Sequence, residues 1–207
     1  FYDTSTPCNK RKPGSGCSAL EGNNRISAIV GYSEHCVAVH PSDLCVGLAA
    51  LDASVRVQDT NGKMITMPFK DFHRLPGMTP ERDNNLPANA LILSIDLANN
   101  PFSKNYAYLK LRDRDSYAFA LISVAAALHI ESNKIVQARL ASGGVAHKPW
   151  RWSDAEQSLT GKAPTMENFI NAAMIAVKDV KPLSQNEYKK TLLKGAIQTA
   201  LQNCITN

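Results

Sequence analysis

The sequence predicts an α+β protein in two parts, divided near Asn99-Asn100-Pro101. Three observations predict it. Ser54 to Gln58 and Lys63 to Met67 flank Thr60-Asn61-Gly62, whose Asn-Gly pair suits a tight hairpin turn. Tyr106 to Arg112 alternates as a strand does, and the stretch from Phe119 to Leu140 reads as two strands around Glu131-Ser132-Asn133-Lys134. From Trp152 onward the apolar spacing turns helical.

Residues 1 to 40 have almost no hydrophobic periodicity and are rich in Gly, Pro, Ser and Asn, with two short apolar runs, Ile26 to Val30 and Cys36 to Val39, as candidate strands. A helix follows from about Leu44 to Asp52, capped by Ser42 or Asp43. After the hairpin, Phe69 to Phe72 leads into a polar loop, Pro76 to Pro87. Ala90 to Leu97 is continuously apolar, which predicts a strand buried on both faces. The next strand puts Tyr106, Tyr108 and Lys110 on one face and Ala107, Leu109 and Leu111 on the other. Alanines between Phe119 and Ile130 suit a helix too, but the turn and Ile135 to Leu140 favour strand, turn and strand. Ser153 with Glu156 spells a capping box for a helix to about Leu159, Thr165 to Val177 forms a second, and Ser184 with Glu187 opens a third through about Asn203. In that last helix Leu192, Leu193, Ala196, Ile197, Ala200 and Leu201 share a stripe that belongs to core packing.

At 207 residues, 44% hydrophobic and 20% charged, the chain is long enough to bury a core without a covalent staple. Its longest apolar stretch, Phe119 to Ile130, is broken by Ser123 and falls short of the roughly 18–20 residues that span a bilayer. The net charge, 23 − 18 = +5, is spread along the chain, and Lys10-Arg11-Lys12 lacks interleaved aromatics, so it reads as a solvated loop rather than a nucleic-acid surface. No Gly-x-Ser-x-Gly, His-Glu-x-x-His or P-loop occurs. Gly14 to Ala19 matches G-x-G-x-x-A in letters, yet it follows Asn9 to Pro13 and no strand, which argues against a dinucleotide turn. His35, His40, His73, His129 and His147 are scattered and read as structural. The abrupt start on Phe1-Tyr2, with no secretory signal before it, suggests part of a longer protein; a cytoplasmic and a periplasmic location both fit.

Five cysteines, an odd number, argue against a pure disulfide framework. Cys45 reads as a small apolar core residue and Cys204 as structural or free. Cys8, Cys17 and Cys36 lie in the polar first segment, which buries too little apolar area to offset about 1–2 kcal/mol per residue of backbone entropy. A metal centre tying them together would supply that stabilisation. Thiolates favour zinc or an iron–sulfur cluster, each wanting four ligands. His35 could complete a zinc site, although it adjoins Cys36 and the Cys-x8-Cys spacing lacks a short knuckle; alternatively, a fourth cysteine upstream of Phe1 would complete a cluster. Ordinary thiols remain the third reading.

Four stretches are similar to the FAD-binding medium subunit of the molybdenum hydroxylases, the xanthine dehydrogenase and aldehyde oxidoreductase family. They are Pro7-Cys8-Asn9-Lys10-Arg11 with Pro13-Gly14-Ser15-Gly16-Cys17; His40-Pro41-Ser42-Asp43-Leu44 with Ala49-Ala50-Leu51-Asp52-Ala53; Tyr108-Leu109-Lys110-Leu111-Arg112-Asp113-Arg114 with Ser116-Tyr117-Ala118-Phe119-Ala120; and Gly143-Gly144-Val145 followed by Lys148-Pro149-Trp150-Arg151. The resemblance implies that residues 1–100 are the second part of an FAD-binding PCMH-type domain, with a cysteine-rich insertion over about 1–40. Residues 101–207 would then be a three-stranded antiparallel sheet with a helical bundle, like the C-terminal domain of the CO dehydrogenase flavoprotein.

The resemblance also implies roles. Cys8, Cys17 and Cys36 look like three ligands of the [4Fe-4S] cluster carried by one subgroup, and Asp43 like the acidic residue at the ribityl or isoalloxazine group, with Ser42 beside it at a helix start. Ile92 resembles the aliphatic residue touching the ring, and Lys110 the basic residue near its polar edge. The glycine-rich loops for the flavin pyrophosphate are not among these residues, so the chain alone is not expected to hold FAD. The implied function is electron transfer through FAD in a heterotrimer with a large molybdenum-cofactor subunit and a small [2Fe-2S] subunit. No catalytic acid or base and no nucleic-acid or membrane partner is expected in this chain. The rival expectations are a zinc-stabilised interaction module and a stand-alone flavoprotein oxidase of the vanillyl alcohol oxidase type.

Overall fold

Asn61-Gly62 and Ser132-Asn133 each lie between neighbouring strands of an antiparallel sheet. A computed structural model describes residues 3–206; the Phe1-Tyr2 pair lies outside the described residues. The first sheet has β1 (Ser54–Gln58), β2 (Met64–Pro68) and β3 (Leu91–Asp96) in the order β2-β1-β3. In its hairpin Asp59 Oδ1 accepts from the Asn61 and Lys63 amides at 2.8 and 2.9 Å, and Gly62 takes φ +79°. The second sheet has β4 (Tyr106–Leu111), β5 (Ile122–Glu131), β6 (Lys134–Gly143) and β7 (Trp150–Arg151) in sequence order. Its three long strands match the sequence expectation. The two-residue β7 is an addition, pairing Arg151 with Ala141 and Trp150 with Ser142.

Both faces of the second sheet are covered, and the side chains of β5 show why. Val124, Ala126 and Leu128 point into a core with Leu140, with Phe169 of α5 (Met166–Ala176), and with Leu193, Ile197 and Leu201 of α6 (Tyr188–Thr206). Fully burying each such large apolar side chain stabilises the fold by about 1.5–3 kcal/mol. The alternate residue Ala125, together with Ala141, packs instead with Val46, Leu48, Ala49 and Ala50 of α2 (Asp43–Ala50) and with Val55 and Val57 of β1. Small side chains on this face let the helix backbone approach closely: a Cβ on Gly143 would meet Val46 Cγ2 at 2.7 Å. Ala125, one of the alanines that suggested helix, is thus part of the contact surface for α2.

Local patterning misleads in four places. Leu91, Ile92, Leu93 and Ile95 of β3 and Leu97 after it are exposed, because nothing among the described residues packs over them; an unbroken apolar run reads alike whether or not its faces are covered. The runs at 26–30 and 36–39 are not strands, although the Ala28 amide donates to Val37 O and the Ile29 amide to Val145 O. Ser153 does not cap α4 (Ser153–Leu159), since Glu156 turns away to accept from the Leu140 amide and Arg151 at 2.7 Å each. Ser184 does not open α6 either: it lies in a turn before Tyr188, where its hydroxyl accepts from Asn24 Nδ2 at 3.1 Å. Thr165 does cap α5, accepting from the Asn168 amide. No helix among the described residues is long and apolar enough to cross a membrane.

The first forty residues are ordered by buried polar side chains. Asn24 Oδ1 accepts from the Gln185 amide at 2.9 Å, Asn186 Nδ2 donates to Ser27 O and Ala28 O, and Lys189 Nζ donates to Ile26 O, Ser27 O and Gly144 O. Hydrogen bonds therefore order residues 24–28 of the polar segment, whatever holds the cysteines. Lys10 is no solvated loop residue. It pairs with Asp83 and donates to Pro80 O and His147 Nε2, each at 3.2 Å, clasping the cysteine segment to the polar loop.

Candidate functional site

Asp43 opens α2 because Ser42 before it caps the helix, its Oγ accepting from the Cys45 amide at 3.3 Å. The alternation of β4 aims Tyr108 and Lys110 at the same spot. Tyr108 donates its hydroxyl to Asp43 Oδ1 at 2.9 Å, and Lys110 Nζ donates to Asp43 Oδ2 at 2.7 Å. One carboxylate is thus held on both oxygens. Burial pushes the Tyr108 phenol up, the Asp43 carboxylate beside it adds to the effect, and the hydroxyl stays a donor. Sequence reasoning singled out Asp43 and Lys110 but gave Tyr108 no role. Its place two residues before Lys110, on the same face, was the available signal.

Four residues along from Asp43, Gly47 lies on the same side of α2. It lines a largely apolar cavity of about 300 Å³ with Ala50, Leu51, Phe102, Tyr108 and Ala126. A Cβ at Gly47 would meet nothing within 4 Å, so its missing side chain leaves open space in a slot beside the Asp43 cluster. Such a slot with carboxylate, phenol and ammonium nearby suits a flat heteroaromatic ring with polar edges. Ile92 is exposed on β3, opposite Val57, in the other sheet.

Cys8 and Cys17 face one another across an antiparallel bridge. Their loop is shaped by Asn9, whose Oδ1 accepts from the Gly16 amide at 2.8 Å while its Nδ2 donates to His35 O at 3.0 Å. That second bond brings the loop to Cys36, which is buried. Burial pushes the Cys36 thiol up, and the nearby Cys17 and Cys8 thiols add to this. The three cysteines therefore share one locality. Their ligand atoms do not all lie within 4.8 Å of one another. His35, the candidate fourth zinc ligand, instead has Nε2 3.0 Å from Met78 Sδ.

The histidines are less scattered than the sequence suggested. His40 and His73 stack edge to face at 4.5 Å beside Cys45, which lies at the margin of the core rather than within it. Burial pulls His40 below its usual value and His73 to about 4, so both rings are neutral near pH 7. His147 is buried close by, its Nδ1 on Arg74 O at 3.0 Å.

Known proteins resemble the chain over nearly its whole length. Residues 22–98 match the family described as FAD binding domain in molybdopterin dehydrogenase, and residues 106–204 match the CO dehydrogenase flavoprotein C-terminal domain. The aldehyde oxidoreductase FAD-binding subunit PaoB of Escherichia coli K12 is 42% identical over 201 residues, which are 97% of this chain and 60% of that protein. The glyceraldehyde dehydrogenase medium chain of Sulfolobus acidocaldarius is 29% identical over 74% of this chain and 53% of its own length. Among solved structures, quinoline 2-oxidoreductase from Pseudomonas putida 86 superposes with a TM-score of 0.69 at 17% identity, over 95% of this chain and 70% of that one. The chain thus spans little more than half the length of the curated relatives it matches.

Proposed function

The chain belongs to the FAD-binding subunits of the molybdenum hydroxylases, and we propose on that premise that it is the electron-transfer subunit of an aldehyde- or N-heterocycle-oxidising complex. The observation that carries the reading is the Asp43 carboxylate held between Tyr108 and Lys110 beside the slot at Gly47. Bound FAD would supply the exchange of electrons between the substrate-oxidising partner and an external acceptor. Asp43 and Tyr108 orient the polar edge of the ring system. Lys110 places positive charge where reduction adds negative charge, Ser42 holds the helix start, and Ile92 supplies an apolar ring contact. Substrate hydroxylation belongs to a large molybdenum-cofactor subunit, and a small subunit carries the [2Fe-2S] clusters.

In the same reading Cys8, Cys17 and Cys36 are three ligands of a [4Fe-4S] cluster. Their shared locality supports it, because a cluster takes its thiolates from neighbouring positions, one on each iron. The division near residue 100 makes residues 1–100 part of the flavin domain, with its cysteine insertion over about 1–40, and 101–207 the C-terminal domain. The matched spans, which end at 98 and resume at 106, support that boundary.

The test uses the full-length subunit purified with its partners, assayed for flavin, iron, acid-labile sulfide and molybdenum. One FAD and about four irons beyond those of the partner subunit are expected. Cys17→Ser should lose those irons with molybdenum unchanged. Absence of flavin and of the additional sulfide overturns the reading.

A further inference from the structure

Two buried ring nitrogens, His40 Nε2 and His73 Nδ1, have no hydrogen-bond partner. Buried polar atoms are satisfied in the great majority of cases, so two orphans on stacked rings call for an explanation. Cys45 stands beside them, and each of His40, Cys45 and His73 offers a ligand atom within 4.8 Å of the other two. Tetrahedral bonds of roughly 2.0–2.3 Å put ligand atoms about 3.4–3.6 Å apart, so small side-chain adjustments close such a shell. Among the described residues this is the one group of three or more His, Cys, Asp or Glu that meets this spacing.

The ligands come from three anchored segments. The His40 amide donates to Ala146 O at 2.8 Å, the Cys45 amide is held by the Ser42 cap, and His73 follows the single turn α3 (Phe69–Phe72). The His73 ring is fixed edge-on against Phe69 and Phe72 at 5.1 and 5.0 Å. A cleft of about 210 Å³, lined by Ala49, Phe69, Lys148 and Trp150, adjoins His73.

From this geometry we propose that His40, Cys45 and His73 form a binding site for one zinc-class divalent ion, supplying three of its ligands. Two imidazoles and a thiolate select a borderline or soft late first-row ion over magnesium or calcium, which take oxygen ligands. On binding, the Cys45 thiol releases its proton to solvent and the sulfur donates an electron pair to the ion; nothing is oxidised or reduced. The site is distinct from the Cys8, Cys17 and Cys36 locality and does not depend on the flavin reading.

The test is titration of the full-length subunit, in complex with its partners and stripped of loosely held metal, with Zn2+ and with Co2+ as a spectroscopic probe. The wild type is expected to take up one additional equivalent and to show a thiolate-to-cobalt charge-transfer band with tetrahedral visible bands. Cys45→Ala should abolish the charge-transfer band and weaken binding more than about a hundredfold, beyond what loss of an outer-shell partner does. His40→Gln should weaken binding similarly, with flavin and iron content unchanged in both variants. A wild type that binds no cobalt, or binds it without a thiolate band, overturns the proposal whether or not the variants assemble. Binding of equal strength in Cys45→Ala overturns it equally.

Discussion

Lys110 Nζ donates to Asp43 Oδ2 at 2.7 Å across a sequence separation of 67 residues, joining β4 of the second sheet to the first turn of α2. The side chains keep 28% and 37% of their surface exposed, so the pair adds no more than about 1 kcal/mol to stability. Lys110→Met should change the urea-unfolding free energy by less than about 1 kcal/mol while lowering flavin content of the assembled complex severalfold. Asp43→Asn should do the same, because it removes the charge that holds Lys110. Full flavin occupancy in both variants would remove this cluster from the flavin site.

Glu156 gives a different balance, since it is buried and accepts from the Leu140 amide and from two nitrogens of Arg151. Glu156→Ala leaves a guanidinium and an amide without that partner, at a cost of about 3–5 kcal/mol. Ser153→Ala should cost almost nothing, because Ser153 makes no capping bond. Equal losses for the two in urea melts would restore the capping box that the letters suggest.

Signals confined to neighbouring residues were legible in the sequence. Asn61-Gly62 announced the first hairpin, and the alternation of Tyr106 to Leu111 correctly put Tyr108 and Lys110 on one face. Relations set by distant partners were not legible. Glu156 fits a capping box in letters, yet Arg151 and Leu140 claim it; Leu91 to Leu97 look buried, yet nothing among the described residues covers them. Asp43 and Lys110 came from resemblance, whereas the bond from Tyr108 to Asp43 and the meeting of His40, Cys45 and His73 needed coordinates, because spacings of 5 to 65 residues carry no local pattern.

Gly144 sits at φ +72°, and a Cβ there would lie 2.6 Å from Leu121 O. Gly144→Ala should destabilise by more than about 1 kcal/mol, since backbone and space both refuse it. Gly161, at φ +79° with nothing within 4 Å, isolates the backbone cost of about 1–2 kcal/mol. Thermal melts should therefore rank Gly144→Ala below Gly161→Ala; the reverse order would mean that Leu121 yields freely.

Lys189 is 1% exposed, and burial, with Arg25 adding, pulls its pKa from 10.5 to about 8. Between those values the unfolded chain holds a proton that the folded protein has released. The contribution of this group to stability therefore rises with pH across about 8 to 10.5 and is smallest below pH 8. Urea melts of wild type and Lys189→Met should show their difference moving in favour of the wild type as pH rises through that window. A difference that stays flat contradicts the shift.

The Ser132-Asn133 reversal, with both residues at positive φ (47° and 58°), also bears on how the chain reaches its native state. It lets β5 and β6 zip from Glu131↔Lys134 out to Ser123↔Gly143 at the smallest loop-closure entropy of any long pairing here, whereas β3 must find β1 across a long excursion. Val124→Ala should accordingly slow refolding in stopped-flow experiments, while Leu93→Ala should act mainly on unfolding. The central hairpin of the second sheet is then the nucleus on which the helices condense, and the strand edge bearing Ile92 is the last part of the chain to find its place.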